Sequence, residues 1–335
     1  MDQNNKCNLR CKMCGFSDSR VSDLSQYDMP RWLFDRIALQ VFPRANYVCL
    51  SLMTEPFMTR DFADRLASVR EAGLPFSEII TNGTLLTETA CEKIVDARIS
   101  RVIFSIDGGS KAVFEDIRVG ARFETVLRNF ALLRRVRASG PSGLPRLRIN
   151  HVLSTANIDH FTDFLSLAAS MQTDEVAVRT ISRMSNAILQ ESTDEAFWQK
   201  VRGVRKELMN FCATTGIVDS AYLRKTHKTI ELVRESGEKL LCPKPWDTLA
   251  IHPNGDMYPC MAWSRPPIGN LITDTFEDTW NGSALTDIRR EFEDTQAGVD
   301  CLNCGIRRSA AADPDDDFFF RKVAKAPPPH RQQGE

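Results

Sequence analysis

Ser77-Glu78-Ile79-Ile80-Thr81, then Thr87 through Ala97, then Arg101-Val102-Ile103-Phe104-Ser105-Ile106 is the stretch that decides the fold. Its two ends are short runs rich in Ile and Val, the composition of a buried strand. Its middle sets Cys91, Ile94 and Val95 on one helical face, behind a threonine able to cap a helix start. Strand, helix, strand is the unit that builds a parallel sheet. Working outward, similar apolar runs lie near 46–53, 147–153 and 175–181, with little clean alternation, as buried parallel strands have. Between them, Phe62, Leu66 and Val69 form a stripe that stops at Gly73. Phe123, Val126, Leu127, Phe130 and Leu133 form another that stops at Gly140 and Pro141. The pattern predicts an α/β fold, either an open parallel sheet or a barrel. Residues 194–212 and 220–236 read as further helices.

The chain has 335 residues, room for about two domains. Lys+Arg 43 against Asp+Glu 44 leaves a formal charge of −1, which excludes a strongly basic nucleic-acid binder or membrane-surface protein on net charge. No apolar run reaches the length of a membrane span. Met1 to Lys6 is polar and lacks a signal-peptide core, so a cytoplasmic location is expected. Ten cysteines then suggest metal more than disulfides. Cys49, Cys91 and Cys212 fall inside apolar patterns and read as core. The other seven fall into motifs.

Cys7-Asn8-Leu9-Arg10-Cys11-Lys12-Met13-Cys14 places three thiols at spacings of four and three. Such a loop can wrap one cuboidal [4Fe–4S] cluster and leave one iron open. A zinc site is the alternative, and it needs a fourth ligand. Cys242, Cys260, Cys301 and Cys304 form a second set, in a region dense in Pro, Gly, Trp and Cys. Four thiolates can ligate every iron of a second cluster, with zinc again the alternative. The segment from Thr248 to Tyr258 reads as a hairpin with an Asn-Gly turn.

The first cysteine motif resembles the signature of radical S-adenosylmethionine (SAM) enzymes. Met53-Thr54-Glu55-Pro56 resembles that family's Gly-Gly-Glu element. Thr81-Asn82-Gly83-Thr84-Leu85-Leu86 resembles its third-strand motif and Ser105-Ile106-Asp107-Gly108 its fourth-strand motif. Arg118 sits where related enzymes place an arginine. The resemblance implies a partial (β/α)6 TIM-like barrel and an open iron that binds SAM. It also implies a one-electron cleavage that gives a 5′-deoxyadenosyl radical, and an electron donor such as a flavodoxin or ferredoxin. Glu55 is then the acceptor for the SAM ammonium, Arg118 the fork donor for its carboxylate, and Asn82, Ser105 and Asp107 polar contacts at strand ends. Met13 stands where the family usually has an aromatic and would pack on adenine. Only six residues precede Cys7, so the first strand is expected to be short or missing.

The order Cys242, Gly255, Cys260, then Cys301 and Cys304 resembles the auxiliary-cluster domain called SPASM, in the shortened form called twitch. The expected organisation is a core barrel over 1–190, a helical connection over 191–241, the auxiliary domain over 242–308 and a disordered tail over 309–335. A cluster with four protein ligands can pass an electron but has no iron free for substrate. That suits two-electron oxidation of a polar small molecule such as a sugar, aminocyclitol or nucleoside. His151, His160 and Arg179, at or just after strand ends, are the candidates for the base or binding group, with Arg179 and His151 put forward as catalytic. Epimerisation would need a spare thiol. A peptide or protein maturase is the other class, and a non-enzymatic electron carrier the last. Anaerobically reconstituted protein should hold about eight irons and about eight labile sulfides per chain. About four of each would leave one cysteine set empty or bound to zinc.

Overall fold

The computed structural model describes residues 1–181, 194–221, 240–241, 244–261, 263, 265–293 and 308–309. β1 (Val48–Cys49), β2 (Ser77–Thr81), β3 (Arg101–Ser105), β4 (Arg146–Leu153), β5 (Glu175–Thr180) and β6 (Val218–Ala221) form one sheet in sequence order. Every neighbouring pair is parallel. The helices in this part are α1 (Ser19–Ser22), α2 (Arg31–Val41), α3 (Phe62–Glu71), α4 (Glu88–Asp96), α5 (Lys111–Ile117), α6 (Phe123–Ser139), α7 (Phe161–Ser170) and α8 (Glu195–Thr215). Their starts follow local chemistry. Thr87 accepts a hydrogen bond from the Ala90 N–H, Ser110 from Val113 and Asp194 from Ala196, each satisfying an orphan donor of the first turn.

Side chains alternate between the faces of a strand, so the register separates two environments. Ile79, Val102, Phe104, Leu147, Ile149 and Val176 point one way and are fully buried. Phe104 meets Phe130 of α6 edge-on at 4.9 Å, which identifies this as the helix-packed face. On the other face the lower residues are buried and charged. Arg101 donates to Glu78 through Nε at 3.0 Å and Nη2 at 2.6 Å, and to Glu175 through Nη1 at 3.1 Å. Higher up, toward the carboxyl ends of the strands, Ile80, Ser105, Asn150 and Val152 are half-buried and Arg179 is exposed. The sheet is therefore covered on one face and open at the top of the other, not buried on both as the apolar runs suggested.

One expectation changes, and one holds. β6 occupies 218–221, where residues from 220 onward read as a helix; the rest of that stretch lies outside the described residues. Val218-Asp219-Ser220-Ala221 has no strand signature, and the unsatisfied edge of β5 recruits it: Val218 aligns with Glu175 and Ala221 with Ala177. β6 makes the sixth strand. Residues 1–6 supply none, making only a single antiparallel bridge between Asn4 and Asp28 among the described residues.

The C-terminal part is small and antiparallel. β7 (Leu240–Leu241) pairs with β11 (Arg308–Ser309), and β8 (Ala250–Ile251), β9 (Asp256–Tyr258) and β10 (Gly269–Asn270) form a three-stranded sheet. α9 (Lys244–Asp247), α10 (Phe276–Trp280) and α11 (Ser283–Glu293) complete it. The Asn-Gly hairpin is present. Gly255 has φ +87°, and a Cβ there would lie 2.7 Å from Asn270 Oδ1. This part rests on the main sheet's surroundings through Ile251 O, which accepts from Asp2 N, and Phe276 N, which donates to Gln40 Oε1. Among the described residues no helix is long and apolar enough to cross a membrane. Phe104→Ala should lower the stability of the apo protein by about 3–5 kcal/mol in urea unfolding. A loss under about 1 kcal/mol would mean the sheet–helix seam contributes little there.

Candidate functional site

The cysteine loop is held from both sides by backbone. Arg10 N donates to Val119 O and Lys12 N to Ile117 O, each at 2.9 Å, and Glu55 N donates to Lys6 O at 2.9 Å. Leu9 is buried beneath the loop. Cys11 is buried, and Cys7 and Cys14 are half-buried. Two side-chain donors face their sulfurs: Asn82 Nδ2 at 4.0 Å from Cys7 Sγ, and Arg118 Nη1 at 3.8 Å from Cys11 Sγ. Burial pushes the Cys7 thiol up to about 12, and Glu55, Cys11 and Cys14 push the same way. Three thiols crowded on one loop keep their protons until a cation replaces them, and a cationic cluster core that takes three thiolates would do so. Among the described residues no three His, Cys, Asp or Glu side chains close on a single-ion point. A four-iron cube, which spreads its thiolates over separate irons, fits this loop better than one zinc ion.

Glu55 is the anchor beside the loop. It is 2% exposed. Its Oε1 accepts from Thr81 Oγ1 at 2.8 Å and from Phe57 N at 3.3 Å, and its Oε2 from Asn82 N at 2.8 Å. Burial nevertheless pushes its carboxyl up to about 7. A cation brought to it would hold it ionised, which is the chemistry expected of an ammonium acceptor. Asn4 Nδ2 ties the Glu55 carbonyl at 2.9 Å, and Lys6 N donates to Asn4 Oδ1 at 2.7 Å, so Glu55 and the cysteine loop are one unit. The turn after β2 continues it. Asn82 Nδ2 also donates to Asn8 Oδ1 at 2.9 Å, while Gly83 has φ +77° and a Cβ there would lie 2.8 Å from the Phe104 ring.

Arg118 and Asp107 form a buried ion pair, Nη2 to Oδ2 at 2.6 Å. Asp107 Oδ1 accepts from Val152 N at 2.7 Å. Asp107 Oδ1 is thus committed to β4, while Oδ2 faces the Arg118 guanidinium as an ion pair and, among the described residues, takes no directed hydrogen bond. Among the described residues Arg118 Nε has no hydrogen-bond partner, so the guanidinium keeps a donor for a carboxylate. Met13 is half-buried against the core between Cys11 and Cys14. Ser105 aligns with Asn150 on the open face.

The structure separates the candidate bases. Arg179 is on the open face, opposite Val152. His151 is on the other one, tilted against Phe164 with ring centroids 4.0 Å apart and edge-on to Phe161. It is 1% exposed, with Nδ1 3.0 Å from Ile106 O. One residue of register thus takes His151 away from the site and puts Asn150 into it. His160 lies in the solvent, with Nδ1 3.7 Å from Asp163. Asn150 and Arg148 escaped the sequence reading. Alternate counting along β4, which joins Arg148, Asn150 and Val152, was the signal that could have found them. Cys260 follows β9 and is half-buried. Cys242, Cys301 and Cys304 lie outside the described residues, as does the 310–335 tail. Leu241, which directly precedes Cys242, aligns with Arg308, four residues after Cys304.

Burial pushes the His151 imidazole down to about 4. The folded value lies below the unfolded one, so the stability this neutral ring contributes is complete above about pH 6.5. It is lost as pH falls toward 4, by about 3 kcal/mol. His151→Leu should flatten that acid limb in urea midpoints measured from pH 7 to pH 4. A slope identical to the parent's would show that the ring titrates in water.

The chain matches the family model described as the Radical SAM superfamily over residues 4–167, and the SPASM model, described as an iron–sulfur cluster-binding domain, over residues 242–305. It is 30% identical over 169 residues to the AdoMet-dependent heme synthase of Methanosarcina barkeri, covering 49% of this chain and 45% of that protein. It is 27% identical over 122 residues to the probable GTP 3′,8-cyclase of Sulfolobus acidocaldarius, covering 36% and 37%. The matches span less than half the length of these relatives. Among solved structures, Streptococcus suis SuiB bound to precursor peptide SuiA superposes with a TM-score of 0.68 at 16% identity, over 91% of this chain and 68% of that one. The anSMEcpe protein with bound AdoMet gives 0.63 at 16% identity, over 90% and 86%. At these identities the likeness shows the fold.

Proposed function

We propose, from the premise that this chain belongs to the radical SAM superfamily and carries a SPASM iron–sulfur domain, that it oxidises a polar small molecule by two electrons. The observation that carries this reading is the open, polar top of the sheet, with Ser105, Asn150 and Arg179 on it, next to the loop of Cys7, Cys11 and Cys14. A [4Fe–4S] cluster on those thiolates would supply the electron that cleaves SAM and releases a hydrogen-abstracting 5′-deoxyadenosyl radical.

The protein's own groups then have distinct tasks. Glu55 takes the ammonium of SAM and Arg118, oriented by Asp107, its carboxylate. Asn82 and Arg118 donate to the Cys7 and Cys11 sulfurs, which favours the thiolate form and tunes the cluster. Ser105 and Asn150 offer hydrogen bonds to hydroxyls, and Met13 an apolar surface for a base. Arg179 binds substrate; a guanidinium stays protonated and makes a poor base. Cys242, Cys260, Cys301 and Cys304 would hold an auxiliary cluster of the twitch type, which would supply a site able to take up the second electron. A flavodoxin or ferredoxin supplies the first.

Oxidation is favoured over epimerisation because the spare thiols are badly placed to return a hydrogen atom. Cys49 is buried and donates to Ser51 O at 3.0 Å, Cys91 is wholly buried on α4, and Cys212 sits on α8. A second reading, modification of a peptide or protein, draws support from the likeness to SuiB, whose structure holds a precursor peptide. The first test needs no substrate. Dithionite-reduced protein with SAM should release 5′-deoxyadenosine, and Cys11→Ala should abolish it; a parent that releases none overturns the radical SAM chemistry. In deuterated water, oxidation predicts one SAM consumed per product and no deuterium at the reacting carbon. Deuterium there would favour epimerisation instead.

A further inference from the structure

Arg148 is a buried cation that the chemistry above leaves unused. It lies on the open-face side of β4, below Asn150, and is 4% exposed. Its Nε donates to Asn150 Oδ1 at 3.0 Å, and its Nη1 reaches Ser220 Oγ on β6 only at 3.5 Å. Among the described residues, its second Nη makes no hydrogen bond and no carboxylate stands within ion-pair distance of it. The two nearest acids in the network are already engaged. Glu78 accepts two bonds from Arg101 and one from the Tyr47 hydroxyl. Glu175 accepts from Arg101 and from Arg146. Two guanidiniums thus occupy the two carboxylates on this face, and Arg148 is a third that, among the described residues, pairs with neither. The contrast with Arg118, which has Asp107 to itself, is plain.

A buried cation lacking a counter-charge is costly, and the cost is relieved when an anion arrives. Burial, then the like charges of Arg101 and Arg179, push the Arg148 guanidinium down to about 10 against the pull of Glu78 and Glu175. The register marks where such an anion would sit. Asn150 aligns with Ala177 and Val152 with Arg179, so a methyl group is all that β5 presents between the heights of Arg148 and Arg179. Planar guanidinium forks match carboxylate and phosphate oxygens in pairs.

Resting on the radical SAM reading, we propose that Arg148 and Arg179, with Asn150 and Ser220 beside them, form an anion subsite that holds a carboxylate or phosphate group of the substrate. The substrate is then an acidic or phosphorylated molecule, and a neutral sugar or aminocyclitol is excluded.

The test uses reconstituted protein with SAM, under anaerobic conditions, and three probes of similar shape: phenyl phosphate, benzoate and neutral benzamide. Calorimetric titration should show binding of phenyl phosphate, benzoate or both, and no binding of benzamide. Preference for one anion names the group the substrate carries. Arg148→Met should weaken the anion about thirtyfold or more, the scale expected for truncating one partner of a buried charge pair. Arg148→Lys should recover part of the loss, and Arg202→Gln, on the exposed side of α8, should change nothing. Should Arg148→Met fail to fold, Arg179→Met at an exposed position carries the same comparison. Equal binding of benzamide, no binding of either anion, or full affinity in the Arg148 or Arg179 variant overturns the subsite. Release of 5′-deoxyadenosine by the parent preparation separates the two ideas. Its absence removes the radical SAM reading, whereas its presence without anion preference removes the subsite alone.

Discussion

A parallel strand has two faces, and among the described residues helices cover only one of them. Phe104, Ile149 and Val176 fill the covered side with apolar volume. The other side buries charge at the bottom, with Ile103 and Ala177 among it, and is half-open and polar at the top. Everything functional follows from that division. The carboxyl ends of the strands, where the peptide turns away, open onto the uncovered side. The cysteine loop, Glu55, Asn82, Ser105 and Asp107 all come from the segments that leave or adjoin those ends.

Two buried arginines show how differently a fold can treat a cation. Arg118 is given its own carboxylate, and Asp107 is in turn locked to β4 by the Val152 N–H. That makes a preset donor beside Cys11, ready at no further ordering cost. Arg148 is buried on the same side of the sheet, where Glu78 and Glu175 are already engaged by Arg101 and Arg146. The first arrangement suits a cofactor that is always the same. The second leaves part of the electrostatic balance to whatever enters.

Glu55 illustrates how buried polarity serves a site. Its carboxylate takes three hydrogen bonds, yet burial still favours its protonated form. The group is thus rigid and receptive to a cation at once. Its link through Asn4 and Lys6 to the cysteine loop means that cluster ligands and the cation acceptor move together.

Much of this was legible in the residues. Five of the six strands were visible because buried β-branched runs have few other uses, and the cysteine spacings stood out because thiols so close in sequence have few structural roles. Glu55 beside Pro56 and the Thr81–Leu86 turn were legible through motif order. β6 was not, because Val218-Asp219-Ser220-Ala221 has no pattern of its own and becomes a strand only where the edge of β5 offers hydrogen bonds. His151 and Asn150 show the sharper limit. Both are polar and adjacent near the end of β4, and composition cannot say which one faces the site. The sequence by itself determined the α/β class, the two cysteine sets and the order of motifs along the chain, since these depend on local periodicity and spacing. Only the tertiary structure decided which side of each strand the helices cover, and hence that His151 belongs to the packing while Asn150, Arg148 and Arg179 face the opening. A shift of one residue reverses that assignment, and register is set by contacts between strands that lie far apart in the chain.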